Sequence, residues 1–169
     1  ATSCSLPSGK KGSNDMNEED FRVAELALKG YKCSHILVQI GLDALGRENP
    51  ELLRAMSGLA NGMGSGLACG ALTGGCCLIE MYAGGGGEGR GEHEKLQRML
   101  EEYVDWFREE SLRFGGSDCQ QIAGGNPMQR AERCPGLILE SVRKAREILE
   151  ANGFELDGQS GDEQSWSNR

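Results

Sequence analysis

The sequence predicts an all-α fold, a compact bundle of about six or seven helices with a glycine-rich loop and helix in its middle. Apolar residues recur at helical spacing in several segments, and no stretch alternates apolar and polar residues as a half-buried strand does. Half of the 26 glycines fall between positions 58 and 91, so the backbone is specialised in one place. Leu, Ile, Val and Phe together number only 33 of 169 residues, so the aliphatic core is thin. A core this lean calls for help from a metal centre, crosslinks or a partner subunit. The length suits one domain.

Residues 1–16, rich in Ser, Gly, Lys and Asn, read as a flexible leader. Order is expected to begin at Asn17, a capping residue followed by Glu18, Glu19 and Asp20 in a first turn. Phe21, Ala24, Leu28 and Tyr31 recur at helical spacing, and Gly30 suggests a stop. A second helix spans about Cys33 to Leu45 on the stripe Ile36, Leu37 and Ile40, with Gly46 ending it. Pro50 suits a first helical position and opens a third, through Leu52, Leu53, Met56 and Leu59. Gly58 to Gly70 reads as a glycine-interrupted loop. Ala71 to Tyr82 reads as a small-residue helix whose glycines permit close approach by a neighbour.

Gly84 to Gly91 is a linker. Its GxGxxG match neither follows a strand nor opens a short βα unit, so it is low complexity and not a dinucleotide fingerprint. His93 to Phe114 is the longest periodic run, carrying Leu96, Met99, Leu100, Tyr103 and Phe107 on one face. Asp118 to Ala123 is a short helix, and Pro135 to Ala151 a long amphipathic one closed by Gly153. The single helical domain thus covers 17–153, and 154–169 reads as a flexible acidic tail.

The formal net charge of −8 argues against nucleic acid as a partner. No segment reaches the roughly 18 uninterrupted apolar residues of a membrane helix. The N-terminus shows no signal sequence, so the location expected is cytoplasmic. No Ser-His-Asp arrangement or catalytic carboxylate pair is legible.

Seven cysteines are present and no CxxC. That spacing counts against zinc fingers, ferredoxin-type runs and thioredoxin-like dithiols. Any joint site must be assembled by the fold from distant segments. Cys33, Cys69, Cys119 and Cys134 each fall at an expected helix start, Cys134 because Pro135 follows it. A helix N-terminus carries roughly half a positive charge and unpaired N–H donors, which favour the thiolate needed by metals and by disulfide chemistry alike.

Cys76 and Cys77 lie inside the apolar helix, roughly 10 Å of helical rise beyond Cys69, and read as buried small hydrophobes or additional ligands. His35 is a satisfied helix histidine or a further ligand. Gly62, Gly64, Gly66 and Gly70 would let backbone approach a bulky inorganic group. Cys4, in the leader, is incidental. The glycine-rich helix from Ala71 offers a flat face on which a homodimer could form.

The sequence resembles the C-GCAxxG-C-C family of redox-active proteins across residues 17–152. The resemblance is carried by Gly30-Tyr31-Lys32-Cys33 and by Gly62-Met63-Gly64 leading into Cys69-Gly70-Ala71-Leu72-Thr73-Gly74. It continues in Phe107-Arg108-Glu109-Glu110 before Gly116-Ser117-Asp118-Cys119, and in Cys134. It implies a helical domain whose four characteristic cysteines form a redox centre. Similar domains are joined to haem domains in split-Soret-type cytochromes, where an iron–sulfur cluster is associated with them. Cys76 and Cys77 depart from the commoner apolar residues of that helix. The functions expected are a cluster of [2Fe–2S] or [4Fe–4S] type serving electron transfer or redox sensing in anaerobic metabolism with a redox partner protein, or metal-free thiol–disulfide or sulfur-carrier chemistry at the same cysteines. Structural zinc is a third reading.

Overall fold

A computed structural model describes residues 18–87 and 91–156. The leader with Cys4, the cap Asn17 and the tail from 157 lie outside the described residues. These residues form seven α-helices: α1 (Glu18–Leu28), α2 (Cys33–Ala44), α3 (Pro50–Met56), α4 (Gly70–Ala83), α5 (Leu96–Ser111), α6 (Cys119–Ala123) and α7 (Pro127–Ala151). A single antiparallel bridge between Ala68 and Asp118 is the only extended pairing among them.

The glycine-rich helix α4 is the centre, packed by α2, α5 and α7. Its small residues explain how. A Cβ at Gly74 would lie 3.0 Å from the Ser34 backbone of α2, and one at Gly75 would lie 2.0 Å from the Tyr103 hydroxyl of α5. Tyr103 is fully buried there and donates to the Ala71 carbonyl at 2.9 Å. The same closeness recurs on α2, where a Cβ at Gly41 would meet Leu78 at 2.5 Å. Gly74 and Gly75 of this face are therefore occupied within the chain.

Around α4, the apolar stripes close one core, with Met99, Tyr103 and Phe107 from α5 and Leu137, Val142, Ala145 and Leu149 from α7. Trp106 packs partly buried against it. A satellite of Val38, Leu42 and Met56 fastens α3, helped by the Ser34 hydroxyl donating to the Met56 carbonyl at 2.8 Å.

Four elements differ from expectation. α1 buries Val23 and Leu26, leaving Phe21 and Leu28 exposed, because Glu19 and Asp20 pair with Arg146 and Arg143 of α7 and set the helix's rotation. The third helix stops at Met56, and a 3₁₀ turn follows over Ser57–Leu59. The last helix begins at Pro127, not Pro135: Asn126 caps it by accepting from the Gln129 N–H, and Pro127 occupies the first turn. Pro135 thus sits inside the helix, where it forgoes one backbone bond to the Ala131 carbonyl. Finally, packing continues past 153, with Leu156 buried and the Phe154 ring against Tyr82 and His93.

Two glycine substitutions test this packing in opposite directions. Gly136→Ala on the open face of α7 meets nothing within 4 Å and should stabilise by about 0.5–1 kcal/mol through helix propensity. Gly75→Ala drives a methyl into Tyr103 and should destabilise by about 1–3 kcal/mol despite the same propensity gain. Urea denaturation of the two variants checks the pair.

Candidate metal centre

Backbone, before any side chain, brings distant cysteines together. The Cys69 N–H donates to the Ser117 carbonyl at 3.1 Å, and the Cys119 N–H donates to the Leu67 carbonyl at 2.7 Å. These two bonds lock segment 67–69 against 117–119. Cys69 becomes the N-cap of α4 and Cys119 the first residue of α6. Cys33 opens α2, and its sulfur lies where a Gly70 side chain would be: a Cβ there would stand 2.4 Å from Cys33 Sγ. Glycine at 70 is thus a steric requirement of the Cys33 position.

Cys134 differs from the expectation of a helix start. It lies in the interior of α7, since the helix begins at Pro127, and it reaches the other three from the helix's side.

All four sulfur-bearing residues line one cavity of about 210 Å³. The rest of its wall is apolar (Ala71, Ile122, Leu137, Ile138) apart from Lys32, Asn61 and Arg130. Both charged residues are cations. Arg130 is held by donating to the Asn61 side-chain oxygen at 2.8 Å. An apolar cavity of about 150 Å³ is enough to hold a benzene molecule, so this one has room for a polyatomic group among four sulfur donors. Among the described residues, no three His, Cys, Asp or Glu side chains are gathered as a site for a metal ion.

Burial governs the thiols. It pushes Cys69 up to about 12, against the lowering effect of the Ala71 and Leu72 N–H groups directed at its sulfur. Burial also raises Cys119 and Cys134, opposed in both by Arg130. At Cys69 and Cys119 the thiolate preference expected from helix starts is therefore overridden in the metal-free protein, and Cys134, inside α7, has no helix start to oppose its burial. Desolvation in an apolar cavity outweighs a helix end's partial charge.

The remaining candidates stand elsewhere. Cys76 and Cys77 are absent from the cavity wall: Cys76 packs on the main core and Cys77 on the α3 satellite. Burial raises both, Cys76 to about 11. His35 is engaged at both ring nitrogens, Nδ1 accepting from the Lys32 N–H at 3.2 Å and Nε2 bonded to Ser57 Oγ at 2.8 Å. It fastens the start of α2. Gly62, Gly64 and Gly66 all have positive φ and shape a tight π-turn, and a Cβ at Gly62 would strike the Leu67 backbone. Of the four glycines singled out, Gly70 alone contacts a cavity cysteine. Lys32 enters the sequence reading only as the neighbour of Cys33, and Asn61 and Arg130 not at all, since nothing there distinguishes them from other surface polar residues.

A family model described as "Putative redox-active protein (C_GCAxxG_C_C)" matches residues 31–148. The chain belongs to the C_GCAxxG_C_C family. The matched segment encloses all four cavity cysteines, together with Cys76 and Cys77. No curated protein and no solved structure is significantly similar to it. Within this member of the C_GCAxxG_C_C family, no described helix is long and apolar enough to cross a membrane.

Because the folded state raises the Cys69 thiol from about 9 to about 12, it favours the protonated form. That stabilisation is complete below about pH 9 and is lost as pH climbs toward 12. The stability difference between metal-free wild type and Cys69→Ser should therefore narrow from pH 8 to pH 10.5. Denaturation midpoints at the two pH values check it; a constant difference contradicts the assignment.

Proposed function

We propose that this domain holds an iron–sulfur cluster through Cys33, Cys69, Cys119 and Cys134 and serves electron transfer or redox sensing. The observation that carries the reading is the meeting of four thiols, from four separate elements, on one mostly apolar cavity of about 210 Å³. Its size supports a cluster over zinc. A tetrahedral zinc with Zn–S near 2.3 Å draws its ligands around a point, whereas a cavity of about 210 Å³ has room for a polyatomic group. The raised thiols speak against metal-free dithiol chemistry, which needs an accessible thiolate.

The chain's own residues supply what such a centre requires. Four thiols release their protons on ligation, and the resulting negative charge is met by Lys32, Arg130 and the N-terminal N–H groups of α4. Ala71, Ile122, Leu137 and Ile138 exclude water, and the absent Cβ at Gly70 leaves Cys33 its place. When bound, the cluster supplies reversible one-electron chemistry at a potential set by charge, hydrogen bonds and exposure. A [2Fe–2S] or a [4Fe–4S] group would satisfy the four-thiolate set.

Protein purified without oxygen should show broad visible charge-transfer absorption with matching iron and acid-labile sulfide. Colourless protein free of both overturns the reading. Cys134→Ser should abolish or strongly weaken the absorption, whereas Cys77→Ser and Cys4→Ser should keep it, since neither belongs to the proposed ligand set. Stripping the metal should lower the thermal midpoint by about 5 °C or more, because each kcal/mol of lost binding costs a domain of this size about 2–4 °C. Calorimetry on loaded and stripped samples measures this.

A further inference from the structure

Large apolar side chains are exposed at six described positions, and two of them, Met63 (44 %) and Leu67 (50 %), share the turn 61–67 beside the cysteine cavity. Asn61, at one end of the turn, lines the cavity, and the Leu67 carbonyl at the other holds the Cys119 N–H. The turn is costly to form. Asn61 (φ 55°) and Met63 (φ 57°) both adopt the left-handed conformation, which asparagine tolerates and methionine disfavours. A glycine at 63 would remove that strain, so the exposed methionine is not explained by the fold. Backbone strain of this kind concentrates at functional sites, and methionine suits adaptable binding surfaces. The charged groups of the adjoining cavity wall are Lys32 and Arg130, both cationic in a chain of net charge −8.

We propose that the turn 61–67, carrying the exposed Met63 and Leu67 and adjoining the cavity wall that holds Lys32 and Arg130, is the docking surface for an acidic one-electron redox protein. The proposal rests on the cluster reading above for its purpose and on the turn's geometry for its location. One electron would pass from the partner's reduced centre to the group held by the four cysteines, with no bond made or broken. Opposite charge orients the encounter, and the apolar pair holds it at the wall nearest Cys69 and Cys119.

The probe is an acidic plant-type ferredoxin carrying gallium in place of iron, so that binding is measured without electron transfer. Titration calorimetry with the intact protein should show binding that weakens about tenfold between 50 and 250 mM salt, and hydrogen exchange should show protection over 61–67. Met63→Gly should weaken binding about tenfold while retaining iron and sulfide and raising the unfolding midpoint. Phe21→Ser, on the exposed side of α1, should leave binding unchanged. Absence of binding, protection elsewhere, tighter binding to basic cytochrome c, or an unaltered affinity in Met63→Gly each overturns the proposal. Iron and sulfide content reports on the cluster reading separately: a loaded protein that ignores the probe sinks the surface alone, and a metal-free protein that binds it at 61–67 sinks the cluster alone.

Discussion

Two backbone hydrogen bonds, between Cys69 and Ser117 and between Cys119 and Leu67, are the constraint on which the rest of the molecule depends. They join segments some fifty residues apart in a chain otherwise built from local helical bonds. Because they use main-chain groups, they place two cysteines side by side without consuming either thiol. Ser111 at the end of α5 supports the arrangement, its hydroxyl bonded to that of Ser117 at 3.0 Å. With 69 and 119 set, α4 must start at Gly70, and the missing side chain there admits Cys33. Cys134 then completes the ring from α7, whose position follows from its packing on α4 and α6.

The cavity is held in an electrostatic compromise. Its apolar wall favours neutral thiols, as the elevated Cys69, Cys119 and Cys134 show, while Lys32 and Arg130 favour negative charge. On the proposed reading, ligation of a metal group would displace thiol protons, so its affinity would depend on pH. The thin aliphatic core adds a second coupling. With so little apolar area elsewhere, whatever fills the cavity contributes to holding α2, α4, α6 and α7 together.

Much of this was legible in the sequence because helical periodicity and capping are local signals. α2, α5 and α6 fall close to expectation, α3 does so at its start, and the close approach of α4 follows from Gly74 and Gly75. The misreadings arise where one local signal masks another. Cys134-Pro135 reads as a helix start, but Asn126 is the better capping residue, and its bond from the Gln129 N–H starts the helix at Pro127. In α1, two apolar stripes were available, and ion pairs to α7 chose Val23 and Leu26 over Phe21 and Leu28. The lone Ala68–Asp118 bridge leaves no periodic trace, and the direction of the thiol shifts depends on burial that no spacing reveals.

The placement of Cys134 within α7 has a consequence for biosynthesis. Of the cavity's eleven lining residues, Arg130, Cys134, Leu137 and Ile138 come from this one helix, the last in the described chain. During synthesis, three of the four cavity cysteines therefore precede the helix that supplies the rest of the wall. The chamber can close only after translation has passed α7. The interval between the synthesis of Cys33, Cys69 and Cys119 and that of α7 is when these thiols lack that cover against oxidation.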